Sequence, residues 1–456
     1  MGESMKRDLL HGSITKGLLL FAWPIMLGNL LQQFYNIADT LIVGRFLGEN
    51  ALAAVGSAYT LMTFLTSVIL GLCMGAGAFF SIYYGKGDTQ RMERGLFLSF
   101  VLILAVTLVL EAAVFAGIRP ILILMNVPQA VEPLMKEYLL IIFAGLPAVF
   151  LYNYDASLLR AVGNSTVPLV FLGISAVLNI GLDLLFVLVF QWGVGGAAAA
   201  TVLAQYVSGI GLLAYTLVRF PAFRLRRSSV CWDRGILREL SHFSFLTCVQ
   251  QSVMNFGILM VQGLVNSFGP AVMAGFAAAV KIDSFAYMPV QDFGNAFSTF
   301  IALNYGAGNR DRIRKGIRSA LVSSFLFCTA VSLLVCLFAP QLMGIFVRPE
   351  ETEIIAVGTQ YLRIEGAFYF GIGLLFLLYG YCRAVARPGM SVVLTVLSLG
   401  TRVVLAYALS AVESVGVIGI WASVPIGWAL ADAVGIGWYF LTQRRTANRS
   451  RLEQTE

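Results

Sequence analysis

Residues 95–118 of the chain read GLFLSFVLILAVTLVLEAAVFAGI, an apolar stretch in which Glu111 is the one charged residue. An α-helix rises about 1.5 Å per residue, so about 20 apolar residues cross the roughly 30 Å hydrocarbon core of a bilayer. A strand of a transmembrane β-barrel would instead show about ten residues of alternating polarity. The stretch therefore predicts a transmembrane α-helix.

Apolar segments of similar length fill most of the remaining chain. Hydrophobic residues make up 58% of the 456 residues and charged residues only 12%, and the mean hydropathy is +0.82. A soluble protein of this size could not cover its surface with so few charges. The predicted spans are 15–40, 51–80, 95–118, 136–158, 167–190, 195–218, 241–266, 272–302, 317–340, 357–382, 390–411 and 417–441. We therefore predict an all-α integral membrane protein with twelve transmembrane helices.

Cysteine and histidine are too sparse and scattered for several classes of protein. The six cysteines form no C-x-x-C pair, and the two histidines are His11 and His242. This excludes a disulfide framework, a zinc cage and a histidine-rich intramembrane metalloenzyme. No catalytic constellation stands at membrane depth, so we predict neither an enzyme nor any cofactor beyond a coupling ion.

The net charge of +7 is concentrated in the loops on one side of the predicted spans. The basic residues in two of these loops are Arg224, Arg226, Arg227, Arg310, Arg312, Arg314, Lys315 and Arg318. Such loops stay in the cytoplasm, and an even number of spans puts both termini on that side. We therefore expect a plasma-membrane protein with cytoplasmic termini, whose basic loops set the topology and do not bind nucleic acid.

The two halves of the sequence repeat each other. Residues 84–88, Tyr-Gly-Lys-Gly-Asp, return at 305–309 as Tyr-Gly-Ala-Gly-Asn, and Arg160-Ala161-Val162 returns as Arg383-Ala384-Val385. Six spans in each half give parallel repeats, an arrangement typical of transporters that alternate access around a central cavity. The predicted domains are an N-lobe at 1–222, a basic cytoplasmic linker at 223–240, a C-lobe at 241–441 and a cytoplasmic tail at 442–456.

Ionisable residues at membrane depth are costly, so each one is a hypothesis about function. Asn179 and Asp183 are spaced i, i+4 on predicted span 5, and Thr201 lies at a similar depth in span 6. Asp39 lies near the outer end of span 1, one turn beyond Tyr35 and two beyond Gln32. We expect these carboxyl and neutral oxygens to converge on a proton or small cation. The alternative is that Asp39 is a loop acid and Asp183 caps a helix.

The second half carries different polar residues. The positions that match Asp39 and Asp183 there are Met260 and Ala406, so we expect an acid pair only in the first half. Lys281 and Asp283 lie two positions apart and do not share a helix face. They form a structural buried pair with other helices or belong to the substrate cavity.

Other polar side chains have a structural and a functional interpretation. Gln250, Gln251 and Asn255 of span 7 either line a cavity or make hydrogen bonds between helices. Asp155 and Arg160 are interpreted as an ion pair at the cytoplasmic end of span 4. Pro24 would permit a bend in span 1.

These features together resemble the multidrug and toxic compound extrusion (MATE) family over the whole chain. The stretches that carry the resemblance are Tyr35-Asn36-Ile37-Ala38-Asp39, Val43-Gly44-Arg45-Phe46-Leu47-Gly48, Leu159-Arg160-Ala161-Val162-Gly163-Asn164 and Asn304-Tyr305-Gly306-Ala307-Gly308-Asn309. The resemblance implies two pseudo-symmetric six-helix lobes, a central cleft and drug/cation antiport.

The resemblance also implies roles for particular residues. It assigns the cation and coupling site to Asp39, Asn179, Asp183 and Thr201, and it adds Gln32, Tyr138 and Asn153 as further polar positions of the same lobe. The sodium-coupled branch has carboxylates on helices 7 and 10, whereas span 7 here offers Gln250 and Gln251, and span 10 offers only Glu365. This departure favours a DinF-like branch with a first-lobe mechanism.

We therefore expect a monomeric antiporter in the lipid bilayer that exports amphipathic, cationic organic compounds. The coupling ion is H⁺ rather than Na⁺, although Na⁺ at Asp39 and Asp183 stays open. The candidate substrate cavity comprises Gln32, Tyr35, Tyr138, Asn153, Gln250, Asn255, Lys281 and Asp283. The alternative function is a flippase for lipid-linked oligosaccharides on the same superfold, which typically has fourteen spans and a strongly cationic cavity.

Overall fold

The computed structural model of the protein describes the backbone of residues 9–124, 127–224 and 230–452. Arg226 and Arg227 of the predicted linker, and the last four residues of the predicted tail, lie outside these ranges. Within them, helices are the only regular secondary structure.

Fourteen α-helices make up the described chain. Their bounds are α1 Ile14–Leu47, α2 Glu49–Lys86, α3 Thr89–Leu124, α4 Glu132–Phe143, α5 Leu146–Ala161, α6 Thr166–Asp183, α7 Gly193–Arg219, α8 Arg234–Asn266, α9 Pro270–Gly306, α10 Arg310–Met343, α11 Thr352–Gly366, α12 Tyr369–Ala384, α13 Pro388–Ser410 and α14 Val417–Leu452. A π-helical turn at Leu184–Val189 follows α6, and a short 3₁₀ turn at Pro221–Phe223 follows α7.

Ten of these helices are each long and apolar enough to cross a membrane. Two further pairs pass the same test as bent units, α4 with α5 at an angle of 42° and α11 with α12 at 53°. Counting each bent pair as one span gives twelve, which confirms the predicted number of transmembrane segments.

The prediction of unbroken helices at 136–158 and 357–382 is wrong. Pro147 has no N–H, and in a continuous helix its ring would clash with the carbonyl of Phe143, so α4 ends at Phe143 and α5 starts afresh at Leu146. In the second half Phe370 stands where Pro147 stands in the first, and α11 instead ends at Gly366, a residue of low helix propensity. The two breaks therefore have equivalent positions and different local causes. Pro24, by contrast, lies inside α1 without ending it.

The described chain divides into two compact units. The first runs to Ser252 and adds Ala302–Arg312, and the second contains Val253–Ile301 and the chain from Ile313 onward. The division falls within α8, α9 and α10, so the predicted lobe limits at 222 and 241 stay a prediction.

In the first unit, the two copies of the repeated glycine motif meet at a helix crossing. A Cβ atom on Gly85 would collide with the main-chain carbonyl of Leu303, and one on Gly306 would collide with the carbonyl of Ile82. Each glycine thus allows the other helix's main chain to approach. Around the crossing, the core of this unit is built from large buried side chains such as Phe79, Phe80 and Phe150.

In the second unit, three aromatic rings form the centre of the core. Phe276 and Trp421 stack with their ring centroids 5.3 Å apart and nearly parallel planes. Tyr361 meets both rings edge-on, at 5.3 Å and 5.0 Å between centroids. Such edge-to-face and stacked pairs add to the stabilisation that comes from burial alone.

Candidate cation site

Four helices of the first unit, α1, α4, α6 and α7, bring the predicted cation residues together. Asn179 on α6 donates a hydrogen bond from Nδ2 to Oγ1 of Thr201 on α7, at 3.1 Å. Both side chains are buried. The amide N–H₂ of Asn179 is thereby directed toward α7, and its Oδ1 oxygen, also buried, accepts no hydrogen bond from any described residue.

Asp183 is fully buried at the last residue of α6, where the π-helical turn begins. Its side chain makes no capping hydrogen bond, so the alternative interpretation as a helix cap is not supported. Among the described residues, none donates a hydrogen bond to either of its carboxyl oxygens. A buried carboxyl group in this condition lacks the hydrogen bonds that normally compensate the loss of water.

Asp39 faces the same group of residues from α1. It is partly buried within the helix rather than in a loop, and its Oδ1 atom is buried without a hydrogen-bond partner in the described chain. The carboxyl groups of Asp39 and Asp183 are close enough to interact electrostatically. The buried Tyr138 of α4 lies beside both of them and beside Tyr35.

The site is therefore rich in acceptor oxygens and poor in donors. Four buried oxygens, Oδ1 of Asp39, Oδ1 of Asn179 and both carboxyl oxygens of Asp183, have no donor among the residues that the structure describes. Oxygen ligands of this kind suit a bound proton or a small hard cation. The structure brings Asp39, Asn179, Asp183 and Thr201 together, and their role in binding a cation stays a prediction.

The remaining cavity candidates of the first lobe take different positions. Tyr35 neighbours Gln32 and Asp39 on its own helix, so it adjoins the cation site, while Gln32 itself is exposed. Asn153 donates from Nδ2 to the Val149 carbonyl of its own helix at 2.8 Å. Its amide N–H₂ group is therefore bound to the backbone of its own helix, α5.

The candidates of the second half do not form one group. Gln250 is buried in the first unit, whereas Asn255 is half-buried in the second. Lys281 is exposed and Asp283 is buried on α9, so the two charges lie on different faces of the helix, as their spacing requires.

Sequence reasoning missed a second buried acid pair, in the second unit. Tyr369 donates its hydroxyl hydrogen to Oδ1 of Asp283 at 2.7 Å, and the Glu365 carboxyl faces Asp283. Arg402 and Tyr361 are further neighbours of Glu365. The expectation that only the first half holds an acid pair is therefore wrong, because α11 brings a carboxyl that the first half has no counterpart for. Tyr361 and Glu365, spaced i, i+4, were the available signal.

The interpretation of Asp155 and Arg160 as an end pair is also wrong. Five residues apart, they are about 140° apart around α5 at 100° per residue, so they face different neighbours. Asp155 is buried, with 1% of its surface exposed, and the Thr216 hydroxyl of α7 faces its carboxyl group. Its Oδ2 atom has no hydrogen-bond partner in the described chain.

Comparison with known proteins identifies the family to which this fold belongs. The MatE family model matches residues 24–185 and again residues 245–408. The starts of the two matches are as far apart in the chain as Tyr84 and Tyr305, and their ends are as far apart as Arg160 and Arg383, so the family model follows the sequence repeat. The chain belongs to the MATE family.

Relatives of this MATE protein match it over nearly their whole length. "Probable multidrug resistance protein YpnP" of Bacillus subtilis is 31% identical over 438 residues, which cover 95% of this chain and 96% of that protein. "Probable multidrug resistance protein NorM" of Thermotoga maritima is 26% identical, over 90% of this chain and 88% of its own. A solved MOP superfamily transporter from Pyrococcus furiosus has a TM-score of 0.89 at 23% identity, covering 96% of this chain and 97% of that one.

Family membership confirms the predicted fold class, the twelve-helix MATE arrangement. It also confirms that the chain is a multi-pass membrane transporter for small molecules and not an enzyme.

Proposed function

We propose that this MATE protein is a plasma-membrane antiporter that couples proton entry to the export of amphipathic, cationic organic compounds. One observation carries the proposal: the cluster of buried acceptor oxygens on Asp39, Asn179 and Asp183, beside Thr201. The cluster lies within a single unit, which supports a DinF-like mechanism based on the first lobe.

The chemistry of the cluster favours a proton. Two carboxylates that interact while buried carry a large electrostatic cost when both are charged. A proton removes one charge and supplies the O–H donor that the cluster lacks. A sodium ion would need most of its ligands from the same four oxygens, which makes Na⁺ the second choice.

Coupling follows from a difference in affinity between two states. A bound ion shifts a conformational equilibrium only by as much as it binds one state better than the other. We propose that protons from outside bind to Asp39 and Asp183 and stabilise the state that is closed to the outside. In this way the inward movement of protons drives release of the exported compound when the transporter next opens outward. In this proposed orientation both termini lie in the cytoplasm.

Drug export is supported by the relatives, which are named for multidrug resistance. The flippase alternative is not favoured. A pyrophosphate group would need several free cationic side chains, whereas Arg402 neighbours the Asp283 and Glu365 carboxyls. A cation with an apolar body suits a cleft that offers carboxyl groups.

Transport by the purified chain in liposomes tests the proposal. An imposed pH gradient should drive uphill movement of ethidium, a cationic amphipathic dye, and replacing sodium by choline should leave the rate unchanged. Loss of transport on sodium removal at a constant pH gradient would assign the site to Na⁺. Export of lipid-linked oligosaccharide without dye transport would favour the flippase.

A further inference from the structure

We infer that Asp155 is a second proton-carrying residue of the first unit, which passes the coupling proton to the cytoplasm. The inference rests on the proposed proton-coupled function and extends it from the outer carboxyl pair to the opposite end of the same unit. Asp155 lies six residues before the end of α5, about 9 Å from its Ala161 terminus. That terminus leads into the end of the unit that carries the basic loops.

The burial and hydrogen bonding of the Asp155 side chain fit a proton carrier rather than a member of an ion pair. Its surface is 1% exposed, and no described residue donates a hydrogen bond to Oδ2. An unpaired charge in such a place costs several kcal/mol, so the site tolerates a neutral, protonated carboxyl group. It would release its proton when water reaches it.

Among the residues that the structure describes, the groups that face Asp155 carry no positive charge. On α7 the Thr216 hydroxyl faces the carboxyl group and itself donates to the Leu212 carbonyl at 2.8 Å. The Cys73 thiol faces it from α2 and the Tyr154 hydroxyl from its own helix. From α3, the Ser99 hydroxyl is bound to Tyr154 at 3.0 Å. One carboxyl and the two hydroxyls that face it supply fewer oxygens than a hard metal cation takes, which leaves the proton as the ligand.

Buried hydroxyl groups lie between the outer pair and Asp155. Thr201, Ser208 and Thr216 are all buried on α7, and Ser175 on α6 donates to the Ala204 carbonyl at 3.0 Å. Helices α5 and α7 pack closely at Gly209, where a Cβ would lie 2.9 Å from the Ala148 carbonyl. This row thus follows α7 from its contact with α6 at Thr201 to its contact with α5 at Thr216.

The row is interrupted, and the interruption has a consequence for coupling. Thr201 to Ser208 and Ser208 to Thr216 are rises of about 10 Å and 12 Å along α7, longer than one hydrogen bond. Water has to bridge these gaps before a proton can pass. When such water is admitted, a proton moves from the outer pair through it to Oδ2 of Asp155 and then to cytoplasmic water. When it is excluded, the two gaps are too long for transfer.

The experiment measures ethidium transport by the full chain in liposomes while the pH on the basic-loop side is varied and the pH gradient is kept. Asp155→Asn should lower gradient-driven transport about a hundredfold, the lower end of what positioned proton-transfer groups contribute. The remaining transport should lose its dependence on the pH of that side. Asp155→Glu should restore both, and ethidium binding without a gradient should be unchanged in both variants.

Asp432→Asn is the matched control, because Asp432 is also buried, in the second unit, and its Oδ1 likewise lacks a partner in the described chain. It should transport at the wild-type rate. If Asp155→Asn kept the wild-type transport rate and pH profile while Asp39→Asn was inactive, the inferred role of Asp155 would be overturned and the proposed function would stand. Equal loss in Asp155→Asn and Asp155→Glu, with weaker ethidium binding, would overturn it in favour of a structural role. If transport by the wild-type protein did not depend on the pH gradient, the proposed function would be overturned as well.

Discussion

Asp39 and Asp183 supply the charges that titrate in the proposed mechanism. Asp39→Asn and Asp183→Asn keep the size of the side chain and remove the proton-binding carboxylate, so each should abolish gradient-driven efflux while the protein still binds ethidium. Asn179→Ala should weaken efflux less, because Asn179 contributes a neutral oxygen and one hydrogen bond to Thr201. The measurement is uphill transport at matched reconstitution.

The control for these variants is Glu49→Gln, which removes an exposed acid at the start of α2. It should export at the wild-type rate. If Asp39→Asn and Asp183→Asn both matched it, the coupling site would lie elsewhere, and the Asp283–Glu365 pair would be the next group to test.

Tyr369 is the donor to the second buried acid pair, and its removal should show in stability. Tyr369→Phe leaves Oδ1 of Asp283 buried without this hydrogen bond, which should lower the free energy of unfolding by about 1–3 kcal/mol. Thermal unfolding in detergent measures the loss. Tyr407→Phe, at a tyrosine of the same unit that is half exposed, should be neutral. Equal unfolding temperatures for the two variants would contradict a stabilising role of Tyr369.

The sequence predicts one of the two acid clusters and misses the other for a physical reason. Asn179 and Asp183 repeat at helical spacing, and hydropathy puts Asp39 and Thr201 at a similar depth, so their convergence follows from topology. Asp283 and Tyr369 are far apart in the chain, on helices whose rotation about their own axes no hydropathy pattern fixes. Their contact depends on side-chain packing in the folded unit.

At the scale of helices, Asp233 determines how α8 begins. Its Oδ1 atom accepts hydrogen bonds from the backbone N–H groups of Ile236 and Gly235, at 3.1 Å and 2.8 Å, and Arg94 lies 3.6 Å from Oδ2. The hydrogen bond from Ile236 contributes most to lowering the pKa of Asp233, which lies outside the membrane-spanning segments. This is an N-cap interaction of a kind that stabilises helix starts.

A lowered pKa fixes the direction of the pH dependence. The contribution of Asp233 is present above the pKa of an unfolded aspartate, about 3.9, and is lost as the pH falls through the lower value of the folded state. Wild type should therefore unfold at a higher temperature than Asp233→Ala at neutral pH, and the difference should shrink in acid. Asp233→Asn, which still accepts the cap hydrogen bonds, should show a smaller pH dependence. A difference that grows in acid would contradict the assignment.

The breaks in the fourth and tenth spans show where hydropathy stops being informative. An average over about 20 residues recognises each span and cannot register a short interruption within it. Pro147 gave a local signal in the first case, because a proline just after Gly145 is typical of a helix start. Gly366 is a weaker signal, because glycines such as Gly71 and Gly75 also lie inside an unbroken helix. The position of this second break, equivalent to the first, could also have suggested it.

For the whole molecule, orientation in the membrane is the property that the proposal needs most. Cys231 is a native, exposed cysteine in the basic linker. An impermeant maleimide should leave it unlabelled in intact cells and label it after permeabilisation, because the positive-inside rule keeps this segment in the cytoplasm. Cys231→Ser provides the background from the other five cysteines. Labelling of Cys231 from outside would reverse the proposed topology.

The glycine crossing in the first unit limits how α2 and α9 can move. Gly85 and Gly306 bring main chain against main chain, so no side-chain rotamers have to change when the helices tilt about this point. A slide along the axis is different, because one step would press a neighbouring side chain into a carbonyl group. We expect the two helices to tilt about this crossing but not to slide along it. Both contacting surfaces come from the duplicated glycine motif.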